Sequence, residues 1–369
     1  MSTEDQPPEG LTTRAAEAPD RAAQAALYDL CFEKQDGCDV VPWRYDRNPH
    51  GQAITRVAVD PEGTFVSHYA CSPRVVLHRG EVPEEPIVGQ TGDVMTHPER
   101  RKLGIFSQLD REAMADASTS GWSMVFGLPN RQSAHIFTRD LGWKAVGKIR
   151  PWTFVLAPNT GARTERMRAG RLASAMVPWT FWRGTMRRGA LRKNSFGKVN
   201  VVPLPRFQAE VDPVGAHVAR DYPWMVRRDH EYLNWRFIDA PSGRFQAQGA
   251  FESDGRMVGY CIVQLPVQGD PVGHLVDVVG MTDPAIDACV EASLGHLAKS
   301  GASVVRAHAI EGSWWERRLR RSGFRGPKRD DYKIVIAHIH DEAHPLAGAG
   351  LDPSSWYFTD GDRDDELVR

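Results

Sequence analysis

The chain repeats itself, and that repeat limits the folds open to it more than any other feature. Residues 43–51 read Trp43-Arg44-Tyr45-Asp46-Arg47-Asn48-Pro49-His50-Gly51, and residues 235–243 read Trp235-Arg236-Phe237-Ile238-Asp239-Ala240-Pro241-Ser242-Gly243. Trp, Arg, an aromatic, Pro and Gly coincide at a single offset of 192 residues, which holds without a gap to Gly63 and Gly255 and to Val66 and Val258. Each copy then continues in the same order. A strand containing Asp-Val comes first (Asp93-Val94; Asp277-Val278), followed by a helical stretch. Next stands a Gly ahead of a short apolar run (Gly121 to Phe126; Gly301 to Val305), and then a helix closing on Gly-aromatic (Gly142-Trp143; Gly323-Phe324). Similarity carried this far in register means one supersecondary unit used twice. A length of 369 residues leaves room for two cores of ordinary size.

The local chemistry reads as mixed α/β. Residues 20–34 place Ala23, Ala26, Leu27 and Leu30 at helical spacing after Asp20, a plausible N-cap. Residues 54–59 and 64–70 are β-branched or aromatic runs around Pro61-Glu62-Gly63, which reads as a hairpin turn, and Arg79-Gly80-Glu81 predicts a second one. Residues 1–19 are acidic and Pro-rich and read as a disordered tail, 20–157 as the first domain, 201–345 as the second and 346–369 as a C-terminal tail. Between the domains, residues 158–200 look inserted: from Arg163 to Lys198 ten Lys or Arg stand against the single Glu165, with Trp179, Phe181 and Trp182 interleaved. That pattern suits a membrane-surface or nucleic-acid face, or a solvated linker helix whose aromatics dock on a domain; Pro178 and the glycines that interrupt any amphipathic stripe favour the linker.

A formal net charge of -1 argues against a surface built as a whole for nucleic acid. The five cysteines (Cys31, Cys38, Cys71, Cys261, Cys289) are scattered, with no CxxC pair and no cysteine-histidine cluster at metal spacing, so reduced thiols and no metal are expected. No run reaches the length of a membrane span and no apolar h-region opens the chain, so a cytoplasmic protein is expected.

The sharpest local motif runs from Thr91 to Leu109: Thr-Gly-Asp-Val-Met-Thr-His-Pro-Glu-Arg-Arg-Lys-Leu-Gly-Ile-Phe-Ser-Gln-Leu. It predicts a short strand, a tight basic turn containing Gly104, and an amphipathic helix carrying Leu109, Ala113 and Met114. A turn of this kind aims several backbone N–H groups outward at the positive end of the helix, where a diphosphate is well held. Gly104 lets the backbone approach without a Cβ in the way. Here Arg101-Lys102-Leu103-Gly104-Ile105-Phe106 resembles the Q/R-x-x-G-x-G/A acetyl-CoA loop of the GNAT acyltransferase superfamily. The preceding Val94-Met95-Thr96-His97-Pro98 and the downstream Pro129-Asn130-Arg131-Gln132-Ser133 and Leu141-Gly142-Trp143 stand where that superfamily has them, so the resemblance covers residues 20–156.

The resemblance implies a fold of two tandem GNAT-like domains, each a mostly antiparallel sheet flanked by helices. It implies transfer of an acetyl group from acetyl-CoA, as co-substrate, to a small-molecule amine such as an amino sugar or a natural-product intermediate. Backbone groups of Val94, Met95 and Thr96 would pair with pantetheine like an added strand. The N–H groups of Arg101, Lys102, Leu103, Gly104, Ile105 and Phe106 would hold the diphosphate, with Asn130 and Ser133 beside the pantetheine arm, although Asn130 reads equally well as a helix cap. Two departures stand out. Phe106 occupies a Gly/Ala position. The tyrosine that many members use as general acid is replaced by Thr138 beside Phe137, and no tyrosine occurs between Tyr69 and Tyr222. Asp93 is the first candidate for a catalytic base, with a structural role in ordering the strand start as the alternative. His68, Tyr69 and His97 are further candidates.

After Asp277-Val278 the second copy runs Val279-Gly280-Met281-Thr282-Asp283-Pro284, with no Arg-x-x-Gly turn and with an acid where phosphates would sit. It reads as a degenerate copy that completes the acceptor pocket or forms a homodimer face. Tyr232-Leu233-Asn234-Trp235-Arg236-Phe237 and the ending Trp356-Tyr357-Phe358-Thr359-Asp360-Gly361-Asp362 look like a bacterial tandem-GNAT group. Two other classes stay open at this point: a Fem-like peptidyl transferase using aminoacyl-tRNA, and a non-catalytic acyl-CoA binder.

Overall fold

The computed structural model describes residues 10–77, 85–156, 199–241, 243–327 and 330–364. The turn expected at residues 79–81 and the basic insertion at 158–200 lie outside the described residues, apart from 199–200, which begin a strand. Strand β1 (Thr12–Ala15) leads into helices α1 (Arg21–Phe32) and α2 (Gly37–Tyr45), then strands β2 (Ile54–Val59), β3 (Phe65–Leu77) and β4 (Ile87–Thr96). Helix α3 (Ile105–Thr119), β5 (Met124–Gly127), α4 (Arg131–Asp140) and β6 (Lys144–Val155) complete the first copy's share of chain. The hairpin between β2 and β3 forms as its residues dictate. Gly63 takes the left-handed φ of 85° that a side chain would resist, and Asp60 Oδ1 accepts the Thr64 N–H at 2.7 Å.

The second copy contributes β7 (Val199–Leu204), α5 (Asp212–Ala219), β8 (Trp224–Val226), a helical stretch over Asn234–Ile238, and β9 (Phe245–Glu252). It continues with β10 (Met257–Gln264), β11 (Val272–Gly280), α6 (Asp283–Lys299), β12 (Val304–Ile310), α7 (Trp314–Arg321) and β13 (Lys333–Ile339), and ends on β14 (Trp356–Tyr357). Among the described residues the strands form one sheet, β1-β2-β3-β4-β5-β13-β6-β12-β11-β10-β9-β7, with β8 and β14 off the end of β3.

That order interlocks the two tandem copies. β13, from the second copy, pairs antiparallel with β5 of the first, while β6, from the first copy, pairs antiparallel with β12 of the second. Each copy closes its sheet with the other's final strand. At the junction the repeated tryptophans meet. Trp43 and Trp235 stack with ring centroids 5.0 Å apart, and each indole N–H donates to the other's backbone carbonyl at 2.9 Å. The constant offset of the repeat thus brings together two tryptophans that make the same contact with each other in both directions.

Both tails are corrected. Residues 12–15, within the stretch read as disordered, pair with β2 because Arg14 and its neighbours find an open edge there. Residues 346–362 are packed chain rather than tail. Trp356, Tyr357 and Phe358 are all buried, and Trp356 stacks on Trp224 at 4.3 Å. Helix α1 forms where expected but turns a different face inward: Gln24, Ala25, Leu27 and Tyr28 are buried, whereas Leu30 is 49% exposed. Asp20 does not cap it through its side chain; its carboxylate is taken by Arg14 at 2.6 Å and by the Glu17 N–H at 2.8 Å.

Candidate functional site

The first copy's sheet splits open where the sequence motif lies. β4 and β5 run parallel and pair only at Gly89↔Val125 and Gln90↔Phe126. Past that point β5 ends at Gly127, so close to Thr91 that an added Cβ would stand 2.4 Å from its Cγ2. Pro129, which lacks an N–H to continue a ladder, then turns the chain into α4. From Thr91 onward, among the described residues, β4 has a strand partner on one side only. A cleft of about 430 Å³ fills the splay, and Thr91, Gly92, Asp93 and Val94 line it from β4 while Asn130 and Ser133 line it from α4. Met95 and Thr96 continue the strand from the cleft toward the loop.

The loop itself has the form a diphosphate needs. Lys102 and Gly104 both adopt left-handed backbone, with φ of 68° and 76°. Alternation of left- and right-handed residues makes successive N–H groups converge. A lysine held in that conformation is strained, and such strain concentrates at functional sites. Among the described residues no backbone N–H from residue 101 to residue 107 donates to another protein atom. Arg101, Lys102, Leu103 and Gly104 are exposed, and nothing lies within 4 Å of a Cβ built on Gly104. The donors are unspent and the approach is open. Phe106, at the position where the superfamily has Gly or Ala, turns inward against Phe137 at 5.1 Å and Tyr69 at 6.2 Å. Its bulk therefore joins the core under α3 and leaves the turn clear.

Asp93 sits at the mouth of the splay on a bulge, where Asp93 and Val94 together face Tyr69 of β3, with its own φ at 47°. The bulge turns its carboxylate toward α2. Arg44 forms an ion pair with Oδ1, and the Tyr45 hydroxyl donates to Oδ2 at 2.9 Å. Burial works against the Arg44 charge, yet the Asp93 carboxylate holds its pKa above the ordinary range. Burial and the same carboxylate push the Tyr45 phenol well above its usual value. His68 shares a 2.9 Å hydrogen bond with the Asp93 carbonyl. Burial nevertheless lowers it to about 4, so it is neutral at physiological pH.

Tyr69 is fully buried and donates to Asp110 at 2.6 Å, which makes it a packing residue. His97 accepts the Glu99 N–H at 3.3 Å and begins the turn ahead of the loop. Asn130 caps α4, its Oδ1 accepting from the Ser133 N–H at 2.9 Å, and it also lines the cleft. Thr138, at the position of the missing tyrosine, donates to the Ala134 carbonyl at 3.1 Å. The phenol that does line the cleft is Tyr28, from α1, joined there by Phe32, Lys34, Arg44, Lys333 and Asp364. None of these six was singled out from the sequence as a site residue. Arg44 carried a signal in the repeat, but Lys333 and Asp364 reach the cleft only through the exchanged strand and the C-terminal segment.

The second copy's equivalent site is closed. Arg318 holds Asp283 and Asp287 at the start of α6, and Thr282 caps Ala285 there, so the chain's own groups occupy the helix N-terminus. Asp277, the counterpart of Asp93, is ringed by Arg228 at 3.0 Å, Tyr260 at 2.9 Å and Thr359 at 2.8 Å. Beside it, a Cβ built on Gly361 would stand 3.2 Å from Asp277 and from Phe237, and Asp360 Oδ2 accepts the His308 N–H of β12 at 2.7 Å. The C-terminal segment thus fills the place where the second copy's cleft would be.

A bulged strand parting from its parallel neighbour, with a glycine turn of free amides at its end, defines the acyltransferase fold of GNAT proteins, present here once intact and once closed. Residues 12–146 match the family described as acetyltransferase (GNAT) domain. Of solved structures, the chain is similar to a GCN5-related N-acetyltransferase from Anabaena variabilis, at TM-score 0.61 and 13% identity over 90% of this chain and 73% of that one. It is comparably similar to a probable N-acyltransferase from Enterococcus faecalis, at TM-score 0.60 and 13% identity over 90% and 72%. A tandem GNAT protein from the clavulanic acid biosynthesis pathway aligns at TM-score 0.52 and 14% identity over 90% of this chain and all of that one. No curated protein matches. The chain has the fold of a tandem GNAT protein, and its match to the acetyltransferase family lies in the first copy. Among the described residues no helix is long and apolar enough to cross a membrane, and no three His, Cys, Asp or Glu side chains gather as metal ligands would.

Proposed function

We propose that this protein transfers an acetyl group from acetyl-CoA to a small-molecule amine in the first copy's cleft. The observation that carries the reading is the run of unspent N–H groups from residue 101 to residue 107, held open by the left-handed Lys102 and Gly104 at the end of the β4–β5 splay. Diphosphate oxygens are strong acceptors that such donors hold in charge-assisted bonds. The unpaired edge of β4 at Val94, Met95 and Thr96 offers pantetheine a strand to extend, and Asn130 and Ser133 flank its path.

Acetyl-CoA supplies a thioester: the amine nitrogen bonds to its carbonyl carbon, the C–S bond breaks, and the proton that nitrogen loses balances the thiolate released. The chain's own contribution is chiefly placement. Holding the two reactants in one slot removes much of the entropic barrier. Asp93 enters as a positioning residue, because both its oxygens are already engaged by Arg44 and Tyr45. It fixes the Arg44 guanidinium in the cleft wall. The second copy, its own cleft closed, completes the wall of the first through Lys333 and Asp364.

Calorimetric titration with acetyl-CoA, followed by thiol release across a panel of amines, tests the reading. Saturable binding with amine-dependent thiol release is expected. Binding without release from any amine would leave a carrier rather than an enzyme, and absence of binding would remove the site.

A further inference from the structure

Beneath the cleft lies a pit of about 10 Å³, lined in part by Trp43, Arg44, Arg74, Gln90, Arg236 and Asp364. It shares Arg44, Gly92, Asp93 and Asp364 with the cleft above. Its charges do not cancel: three guanidiniums stand against the two carboxylates Asp93 and Asp364. Asp93 is engaged by Arg44. Among the described residues Arg74 and Arg236 form no ion pair. Arg74 is only 4% exposed; one of its Nη atoms reaches the Pro73 carbonyl at 2.9 Å, and its Nε is buried without a partner. Gln90 donates to the Asp362 carbonyl at 2.7 Å, which leaves its Oε1 buried and unbonded. Buried charges are costly unless matched by an anion or by full hydrogen bonding.

The repeat explains the spare cation. Arg236 stands in the second copy where Arg44 stands in the first. Arg44 has Asp93, but the matching Asp277 is taken by Arg228. Arg236 donates instead to the Arg363 carbonyl at 2.7 Å and lies over the Trp43 ring at 5.9 Å, facing the first copy's pit.

We propose that this pit is an anion subsite for the acceptor, so that the amine acetylated here carries a carboxylate, one oxygen of which seats between Arg74 and Arg236. The size of the pit limits what enters it: its volume holds about one water-sized atom, so one carboxylate oxygen seats there and the rest of the group stays in the cleft above. The inference rests on the acyl-transfer reading for the word acceptor, but the subsite is tested by binding alone.

The test is calorimetry on the full chain with CoA present. The ligands are glycine, β-alanine, γ-aminobutyrate and 4-aminobenzoate, each against its carboxamide. At least one acid should bind about tenfold more tightly than its amide, a difference of ~1.4 kcal/mol. Arg236→Met should bring that pair to within about threefold, leaving the affinity for CoA within twofold and raising the acid's KM far more than it lowers kcat. Arg74→Met serves as the second variant, and the wild-type ratio needs no variant at all. Equal binding of acid and amide throughout, failure of every acid to bind, or an Arg236→Met effect equal on both members overturns the subsite. Acid-selective binding with no thiol release keeps the subsite and defeats acyl transfer. Release as rapid with the amides as with the acids keeps acyl transfer and defeats the subsite.

Discussion

Gly104→Val separates the fold from the cofactor at one atom. In the free protein a Cβ at this position meets nothing within 4 Å, so no clash destabilises the variant. The remaining cost is backbone: a side chain forced to a φ of 76° loses ~1–2 kcal/mol, a fall of a few degrees in Tm for a chain of this size. Binding should suffer much more. The isopropyl group would stand in the open space from which diphosphate oxygens must approach to about 2.9 Å of the loop amides. Losing even one bond to a charged group costs roughly 1.5–3 kcal/mol, a weakening of acetyl-CoA affinity of about tenfold or more. Gly121 is the matched control. It has the same φ of 76° and the same empty surroundings, but lies after the far end of α3. Gly121→Val should match the Tm loss with unchanged affinity. Calorimetry and thermal melts on both variants decide the matter: a folded Gly104→Val protein that binds acetyl-CoA like wild type refutes the diphosphate site.

Three further outcomes are expected. Asp110 is buried against the Tyr69 hydroxyl and the Trp143 indole, and burial, opposed by those two hydrogen bonds, lifts its pKa to about 7. A carboxyl raised in the folded state contributes full stability below its unfolded pKa of about 3.9 and loses it as pH climbs through 7. Wild type should therefore weaken relative to Asp110→Asn by ~2–3 kcal/mol between pH 5 and pH 8, read from denaturant midpoints; a gap that ignores pH would exclude the buried carboxyl as its cause. Asp93→Asn should lower turnover more than acetyl-CoA affinity while the acidic limb of the kcat profile stays in place, and disappearance of that limb would make Asp93 the base. Trp43→Phe and Trp235→Phe each strand a buried carbonyl, costing ~1–3 kcal/mol, and the double variant should fall short of their sum by about 1 kcal/mol because the two contacts are reciprocal. Strict additivity would dissolve the pairing.

The loop and the repeat were legible because each is local. Lys102 to Phe106 carry their conformation in a few adjacent residues, and Trp43 and Trp235 announce themselves by spacing alone. What escaped depends on sequence-distant chain. Nothing near Lys144 or Lys333 says that β6 and β13 trade places, since either strand satisfies the same ladder in either sheet. The packed ending escaped for a similar reason: Asp360 and Asp362 read as a polar tail until His308 and Arg228 are brought beside them. Asp93 is legible as a site residue, but the partners that bear on its role, Arg44 and Tyr45, lie 49 and 48 residues away. Helix α1 misled on its buried face, as Gln24 goes inward and meets Arg21 at 2.7 Å while Leu30 stays out.

The traded strands carry a last consequence for any attempt to shorten the molecule. Cutting the chain between its halves would leave β5 with a bare hydrogen-bonding edge and β6 with nothing to lie against, two sticky surfaces on one fragment. Such a fragment has an obvious remedy, to find the missing half in solution. Separately made halves mixed together should rejoin through those borrowed strands, the interlock replacing the covalent link.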